Sequence, residues 1–391
     1  MKGKIIMTMK AQKRAKVLEM LKMKQINQKE ASDRIGLSIR QIKRIYKEYK
    51  EKGDEALNHG LIGKQGNHQI DKVKKEKILN MVRDKFKDYK PTFIAEKLLE
   101  IYGNDIKANT LRIWMLKEGL WHKIRKMSRH RTRRPRKEHF GEMIQMDGSP
   151  HDWLGIGKEF CLMHMVDDAG NSAFGLFDTG ETTEIALKTL YGWIEKYGIP
   201  KSIYTDHGGV FYVDREPTLE EQLKGIVPRT RFGQVCEDFG IEMLYANSPQ
   251  AKGRVERANG IQQDRLISEM KFLGIKDIES ANKFLIEKYW DKHNKRYSKK
   301  PMSEADYHIP LLEGQDLRNL ICYRAERIIS ADFVIRMNNR LFQLVRDQKI
   351  EIRPGNDVII KTWLDNSVHI FKKEVELEFQ EIISQSLQNI A

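Results

Sequence analysis

The strongest constraint on the fold is an alternation of apolar strand patterns and helical patterns between residues 142 and 260. Strand-like runs come first, in EMIQMDGS and in KEFCLMHMVDDAGNSAFGLFD, where an Asp-Ala-Gly-Asn turn predicts a hairpin. The helical spacing of ETTEIALKTLYGWIEKYG follows, and then strands in KSIYTDHGG and IEMLYANSPQ alternate with further helices. The order β-β-β-α-β-α-β-α predicts an α/β domain in which helices cover a mixed sheet.

Two aspartates stand at the ends of these strands. Asp147 follows an apolar strand and precedes Gly148, and Asp206 ends the strand of IYTDHGG. Aspartates at strand ends often only cap turns. Because the ends of adjacent strands converge, however, Asp147 and Asp206 are expected to lie side by side. Converging carboxylates repel one another unless a cation neutralises them, and hard oxygen ligands favour Mg²⁺ or Mn²⁺ over zinc.

A third carboxylate, Glu256, lies in SPQAKGRVERANG at 248–260. Ser248 as N-cap and Pro249 at the first position predict a helix. On it Glu256, Asn259, Gly260 and Gln263 share one face, and Gly260 is expected to let that face approach the sheet. The cations predicted to surround Glu256 and contact phosphates are Lys252, Arg254, Arg257 and Arg265. Taken alone, this segment also fits a helix of alternating surface charges.

Together, QMDGS, IYTDHGG and SPQAKGRVERANG resemble the DDE catalytic core of bacterial insertion-sequence transposases, most closely the ISNCY group, and of retroviral-type integrases. The resemblance covers residues 140–310. It implies a ribonuclease-H-like fold in which Asp147, Asp206 and Glu256 form the catalytic, metal-binding triad. It also implies two Mg²⁺ or Mn²⁺ ions per active site and in-line phosphoryl transfer, by which DNA strands are cleaved and transferred.

The segment departs from that family in two places. The stretch from Asp206 to Glu256 is longer than usual, and residues 211–232 are expected to form an inserted loop or small helix. Gln263 stands where many relatives carry Lys or Arg, and Arg265 is a candidate to replace that cation. The rival ligands Asp167 and Asp168 lie in a predicted turn, which favours a structural role.

Charge divides the chain unevenly. Residues 1–140 hold 38 Lys and Arg against 16 Asp and Glu, a net charge of +22, whereas the remaining residues have a net charge of −7. This predicts a front half that binds a polyanion. Cys161, Cys236 and Cys322 form no CxxC pair, which argues against a zinc knuckle or a disulfide framework. No signal peptide or membrane-spanning run is found, so a cytoplasmic, nucleoid-associated protein is expected.

The front half predicts two helical DNA-binding domains. In residues 1–58, Gly36 ends one helix and Ser38 caps the next, as in a helix-turn-helix. The residues expected to reach DNA are Arg40, Gln41, Arg44 and Lys47. A small helical bundle with a solvated basic face is the alternative. A second helix-turn-helix-like domain is predicted at 69–122, with Pro91 starting a helix, Gly103 ending it, and Asn109 or Thr110 capping the last helix.

A basic linker, 123–139, joins these domains to the core. Its segment KIRKMSRHRTRRPRK carries nine Lys or Arg and no acid, a composition that suits contact with phosphates. Its predicted DNA contacts are Arg125, Arg131, Arg133, Arg134 and Arg136.

Beyond the core, residues 275–296 predict a long amphipathic helix. Short strands and turns at Asn338-Asn339, Pro354-Gly355 and Asp365-Asn366 then predict a small SH3-like β-barrel of about five strands at 325–375, followed by a tail at 376–391. The whole chain is therefore predicted to be multidomain, with all-α helix-turn-helix domains, an α/β core and a C-terminal barrel.

The predicted function is that of a DNA transposase. Its expected partners are double-stranded DNA, as terminal inverted repeats and target, and at least one further copy of the chain, with no membrane partner. Two alternatives remain: a DNA-binding regulator with an inert nuclease-like domain, and a structure-specific nuclease with the same core.

Overall fold

The computed structural model describes residues 7–57, 70–122, 135–223, 225, 227–246 and 254–382. The chain divides into two compact units, Met1–Lys123 and Ile124–Ala391. Within the described ranges, no helix is both long and apolar enough to cross a membrane.

The first unit opens with helices α1 (Met9–Lys22), α2 (Gln28–Ile35) and α3 (Ile39–Lys52), followed by a 3₁₀ turn at Gly53–Leu57. Gly36 ends α2 in the left-handed region, and the Ser38 hydroxyl caps α3, both as predicted. The Gln41 side chain accepts from the Ser38 N–H and completes a capping box. Leu18, Ala31 and Ile42 are fully buried between the helices.

The same unit continues with α4 (Lys72–Lys85), α5 (Pro91–Tyr102) and α6 (Ala108–Lys117). Pro91 occupies the first position of α5, and Gly103 ends it with φ 62°, as predicted. The predicted cap of α6 is wrong. Lys107 is the N-cap residue and provides no side-chain hydrogen bond, while Asn109 lies inside the helix and accepts from Arg112.

The second unit contains a five-stranded mixed sheet in the order β3-β2-β1-β4-β5. Its strands are β1 (Ile144–His151), β2 (Phe160–Asp167), β3 (Ala173–Asp178), β4 (Ser202–Thr205) and β5 (Glu242–Tyr245). Strands β1, β2 and β3 pair antiparallel, whereas β4 runs parallel to both β1 and β5. This arrangement confirms the predicted α/β layout and fits the ribonuclease-H-like core that the resemblance implies.

Helices pack on this sheet around one apolar core. They are α7 (Thr183–Tyr197), α9 (Arg231–Asp238) and α10 (Val255–Leu273), whereas α8 (Leu219–Leu223) buries none of its residues. Short α8 lies within the predicted insertion at 211–232. Large buried side chains, among them Trp153, Trp193 and Trp290, fill the core. The three cysteines are free and buried.

The predicted long helix at 275–296 is interrupted. It consists of α11 (Ile278–Phe284), a π-helical turn at Leu285–Tyr289, and α12 (Trp290–Tyr297). The π turn inserts one residue into the helical repeat, which changes the direction of the side chains that follow it. Trp290 donates from its indole nitrogen to the Gly175 carbonyl of β3 at 2.8 Å.

After α13 (Leu317–Leu320), the C-terminal region forms two open sheets instead of the predicted five-stranded barrel. Their strands are β6 (Tyr323–Ile328), β7 (Val334–Met337), β8 (Arg340–Leu344), β9 (Asp357–Thr362), β10 (Val368–Lys372), β11 (Val375–Leu377) and β12 (Phe379–Ile382). The sheet orders are β11-β10-β9-β6 and β12-β8-β7, and both sheets contribute to one apolar cluster. Strand β12 lies within the segment predicted to be a tail.

Candidate active site

Asp147 does not end its strand as predicted, because β1 continues beside β2 to His151 and Asp147 lies inside it. Strands β1 and β4 run side by side just before the two predicted aspartates. They pair in parallel through Ile144 with Ile203 and Gln145 with Tyr204. Extending that register by two residues makes Asp147 level with Asp206, which directly follows β4. The Asp206 carboxylate accepts the Gly208 N–H at 2.9 Å, so the glycine lets the chain turn tightly around it.

Helix α10 lies against these strands and connects to Asp147 through Asn259. The Asn259 Nδ2 donates to Asp147 Oδ2 at 3.1 Å. Asn259 is buried, whereas Glu256, one turn earlier on the helix, is exposed. The face of α10 that packs on the sheet therefore carries Asn259, which follows Glu256 by three residues.

His164 of β2 fixes the orientation of Asn259. A carboxylate accepts hydrogen bonds only, so the Asn259 amide nitrogen faces Asp147 and its Oδ1 faces His164. His164 Nδ1, 2.8 Å from that oxygen, must then be the donor. Burial lowers the pKa of His164 to about 4, which keeps the ring neutral with its single proton on Nδ1. Its Nε2 is buried and has no hydrogen-bond partner in the described parts of the chain.

One expectation about α10 is wrong, and another lies outside the described residues. Gly260 is exposed and has open space around the position of a side chain, so it does not allow a close approach to the sheet. Ser248, Pro249 and Lys252 lie outside the described residues, and α10 begins at Val255 with Arg254 as N-cap. Among the described residues, no three His, Cys, Asp or Glu side chains are grouped so as to hold a metal ion.

Glu181 is a fourth carboxylate near Asp147 that the sequence reasoning missed. A side-chain carbon added at Gly148 would lie 2.6 Å from the Glu181 carboxyl carbon. The glycine after Asp147 therefore makes room for Glu181. Burial raises the pKa of the Cys161 thiol to about 12, and the negative charges of Glu181 and Asp147 add to this rise. Glu181 precedes an ordinary helix cap at Thr182, which hides any functional signal in the sequence.

Asp167 and Asp168 both hold the β2–β3 turn, in agreement with the structural role predicted for them. Asp167 accepts the backbone N–H groups of Gly141 and Gly170, and burial raises its pKa to about 7. Asp168 forms a buried ion pair with Arg254 and accepts from the Gln145 side chain.

The predicted phosphate contacts in this unit are distributed unevenly. Arg257 is exposed beside Glu256, whereas Arg254 is mostly covered and paired with Asp168. Arg136 donates to the Asp168 and Ala169 carbonyls and to Asn171 within the second unit. Arg265 is buried over the ring of Tyr297, so it does not stand on the surface where the prediction placed it. Four others lie outside the described residues: Arg125, Arg131, Arg133 and Arg134.

In the first unit, the predicted DNA-reading side chains lie on the exposed face of α3. Arg40, Arg44 and Lys47 are exposed, and their spacing places them along one side of the helix. Gln41 is exposed as well, but its side chain completes the capping box of α3.

Comparisons with known proteins match the first helical domain by itself and most of the chain as a whole. A helix-turn-helix domain family matches residues 13–65. The chain is 31% identical over 349 residues to the putative transposase y4bF of Sinorhizobium fredii, covering 88% of this chain and 75% of that protein. It is also 31% identical over 352 residues to the transposase for insertion sequence IS1202 of Streptococcus pneumoniae, covering 80% of this chain and 74% of the other.

Similar solved structures include the HTLV-2 integrase catalytic core domain in complex with magnesium. That match has a TM-score of 0.29 and 20% identity, and it covers 38% of this chain and 85% of the other. A second is the simian T-cell lymphotropic virus intasome in complex with the PP2A regulatory subunit B56 gamma, with a TM-score of 0.32, 14% identity and coverage of 74% and 99%.

Proposed function

This chain belongs to the transposases of bacterial insertion sequences, and from that premise we propose that it cleaves and joins DNA at a triad of Asp147, Asp206 and Glu256. The observation that supports the proposal is the parallel pairing of β1 with β4, whose register, extended by two residues, makes the two aspartates level. The hydrogen bond from Asn259 to Asp147 ties the helix bearing Glu256 to the same edge.

The residues at this edge have the chemistry that a divalent cation requires. Asp147, Asp206 and Glu256 would hold Mg²⁺ or Mn²⁺ through carboxylate oxygens, which are hard ligands. When bound, the cation supplies charge neutralisation at the phosphate and a lowered pKa for the attacking hydroxyl.

The chain's own groups prepare that site. The Asn259 amide keeps the Asp147 carboxylate oriented, and the Gly208 N–H does the same for Asp206. Arg257, exposed next to Glu256, is placed to attract the DNA backbone. Because water or a DNA 3′-hydroxyl is itself the attacking group and a 3′-oxygen of the cleaved strand is the leaving group, the protein requires no covalent nucleophile of its own.

The front half would bring the ends of the element to this site. We assign recognition of the terminal inverted repeats to α3 through Arg40, Arg44 and Lys47, within the helix-turn-helix match. The second helical domain and the basic linker would extend the contact along the DNA. Joining two ends requires at least two copies of the chain in the working complex.

The test uses the inverted repeats that flank the gene as substrate. Asp147→Asn, Asp206→Asn and Glu256→Gln should each lower Mg²⁺-dependent cleavage by about 1,000-fold or more and leave gel-shift binding intact. Glu242→Gln is the matched control, because Glu242 is an exposed acid at the opposite end of β5, and it should cleave like wild type.

Each other outcome identifies a different function. Wild-type cleavage by any triad variant removes that residue from the triad. Specific binding of the repeats without Mg²⁺- or Mn²⁺-dependent nicking identifies a regulator. Cleavage of branched or hybrid substrates irrespective of end sequence identifies a structure-specific nuclease.

A further inference from the structure

The start of helix α10 is capped by another part of the protein. Its N-cap residue, Arg254, makes no capping hydrogen bond with its side chain. The first N–H groups of a helix have no partner within the helix, so they need one from outside. The Val255 N–H donates instead to Gln145 Oε1 of strand β1 at 3.2 Å. The strand that carries Asp147 thus caps the helix that carries Glu256.

Gln145 is held in a single orientation. Its side chain is buried, and its Nε2 donates to Asp168 Oδ1 at 2.7 Å. Both ends of the amide are therefore in use, and a flipped amide would put two donors or two acceptors face to face. Gln145 lies two residues before Asp147, and its side chain points to the same side of the sheet.

Asp168 connects three segments that are distant in sequence. Its buried carboxylate forms an ion pair with Arg254 and accepts from Gln145 on one oxygen, while the other oxygen accepts the Lys137 N–H at 2.8 Å. Burying a carboxylate without such partners costs free energy, because the hydrogen bonds that it made to water are then not replaced. The position of Arg254 is thereby tied to the β2–β3 turn.

We propose that Gln145, Asp168 and Arg254, here called the α10 clamp, are positioning residues that fix the first turn of α10 against β1 and so set the place of Glu256 relative to Asp147. The inference rests on the proposed function of those two carboxylates. Groups that orient metal ligands from behind govern metal affinity. The clamp should therefore control how tightly the site binds a divalent cation.

Asp167 provides a control that the chain itself offers. It is a buried aspartate in the same turn, but it accepts from Gly141 and Gly170 and from no residue of α10 within the described ranges. A variant at Asp167 therefore perturbs the turn without releasing the helix. If Asp168 has only a structural role, substituting Asp168 or Asp167 should change Mn²⁺ affinity equally. If Asp168 belongs to the clamp, only its substitution should weaken Mn²⁺ binding.

The experiment measures Mn²⁺ binding by calorimetry on the full-length protein, together with thermal unfolding and hydrogen exchange of peptides spanning 254–260. Asp168→Asn and Gln145→Met should weaken Mn²⁺ binding about tenfold or more and increase exchange in α10. Their cleavage activity should recover at high Mn²⁺, unlike that of the triad variants. Asp167→Asn should keep both Mn²⁺ affinity and α10 protection, even where its melting temperature falls.

Wild-type Mn²⁺ affinity and α10 protection in both clamp variants would overturn the proposal, as would an equal loss in Asp167→Asn. Should one variant fail to fold, Arg254→Lys replaces it, because a lysine keeps the positive charge opposite Asp168 with fewer hydrogen bonds. A wild-type protein that neither binds Mn²⁺ nor cleaves would defeat the proposed function itself. If the wild type binds Mn²⁺ and cleaves DNA while the clamp variants keep wild-type Mn²⁺ affinity, only the clamp proposal is wrong.

Discussion

The first helical unit and the α/β core differ in where they keep their polar side chains. On α3 of the first unit, Arg40, Arg44 and Lys47 all face solvent, and the buried cluster between α1, α2 and α3 is apolar. The core instead buries a polar layer beneath α10, which includes His164, Asn259, Gln262 and His293. A surface that attracts DNA can be built from exposed charge, but a site that must orient carboxylates needs buried and fully directed hydrogen bonds.

The largest expected difference between the two regions is their response to acid. Burial lowers the pKa of His164 to about 4 and that of His293 to about 3, against about 6.5 for unfolded histidine. Because both folded pKa values are depressed, the stability they confer is present above pH 6.5 and is lost as pH falls towards 4. For His164 alone the loss is about 3 kcal/mol.

Hydrogen exchange at pH 7.5 and 4.5, corrected for intrinsic rates, tests this in the full chain. Peptides from β2 should lose protection at the lower pH, while peptides from 7–57, a segment without histidine, should keep theirs. His164→Gln, which retains an N–H donor, should reduce the pH dependence. Equal acid sensitivity in both regions would break the comparison.

The next effect concerns the amide that contacts Asp147. Asn259→Ala removes the donor to Asp147 and the acceptor for His164, and cleavage should fall about 100-fold. DNA binding should not change. Gln263→Ala, at an exposed position of the same helix, is the control and should cleave within about threefold of wild type. A full-activity Asn259→Ala enzyme would show that Asp147 needs no orienting partner.

The smallest expected effect is on DNA binding by the exposed side chains of α3. Arg44→Ala should weaken binding to the inverted repeats about tenfold and reduce the salt slope by about one, because one phosphate or base contact is lost. Glu48→Gln, which removes a negative charge at an exposed position of the same helix, should not weaken binding. Salt-dependent gel shifts measure both. An unchanged Arg44→Ala affinity would favour the simple basic bundle over a DNA-reading helix.

The same contrast explains which features could be predicted from the sequence. Ser38, Pro91 and Gly103 mark helix ends through local backbone chemistry, and the structure confirms all three. The Asn338-Asn339 turn also has both residues at positive φ, as a two-residue hairpin requires. Signals of this kind act over a few residues, so they can be read from the chain directly.

Contacts between particular side chains that are distant in sequence could not be predicted. The contact of Asn259 with His164 joins residues 95 positions apart, and neither residue stands out in its own segment. The two C-terminal sheets also depend on the pairings of β6 with β9 and of β8 with β12, which no turn specifies. The prediction that Gly260 faces the sheet is wrong for the same reason. Helical spacing places a residue on a face of the helix, but only packing decides which face meets the sheet.

The pairing of β1 with β4 ends at Gln145 and Tyr204, two residues before each aspartate. From there β1 continues beside β2, and the Ala246 N–H keeps the end of β4 beside β5. The sheet therefore forks at Asp147 and Asp206, and backbone hydrogen bonds no longer set the width of the gap between them. That width depends on the side chains there, so the gap between Asp147 and Asp206 can change without breaking the backbone hydrogen bonds that pair β1 with β4.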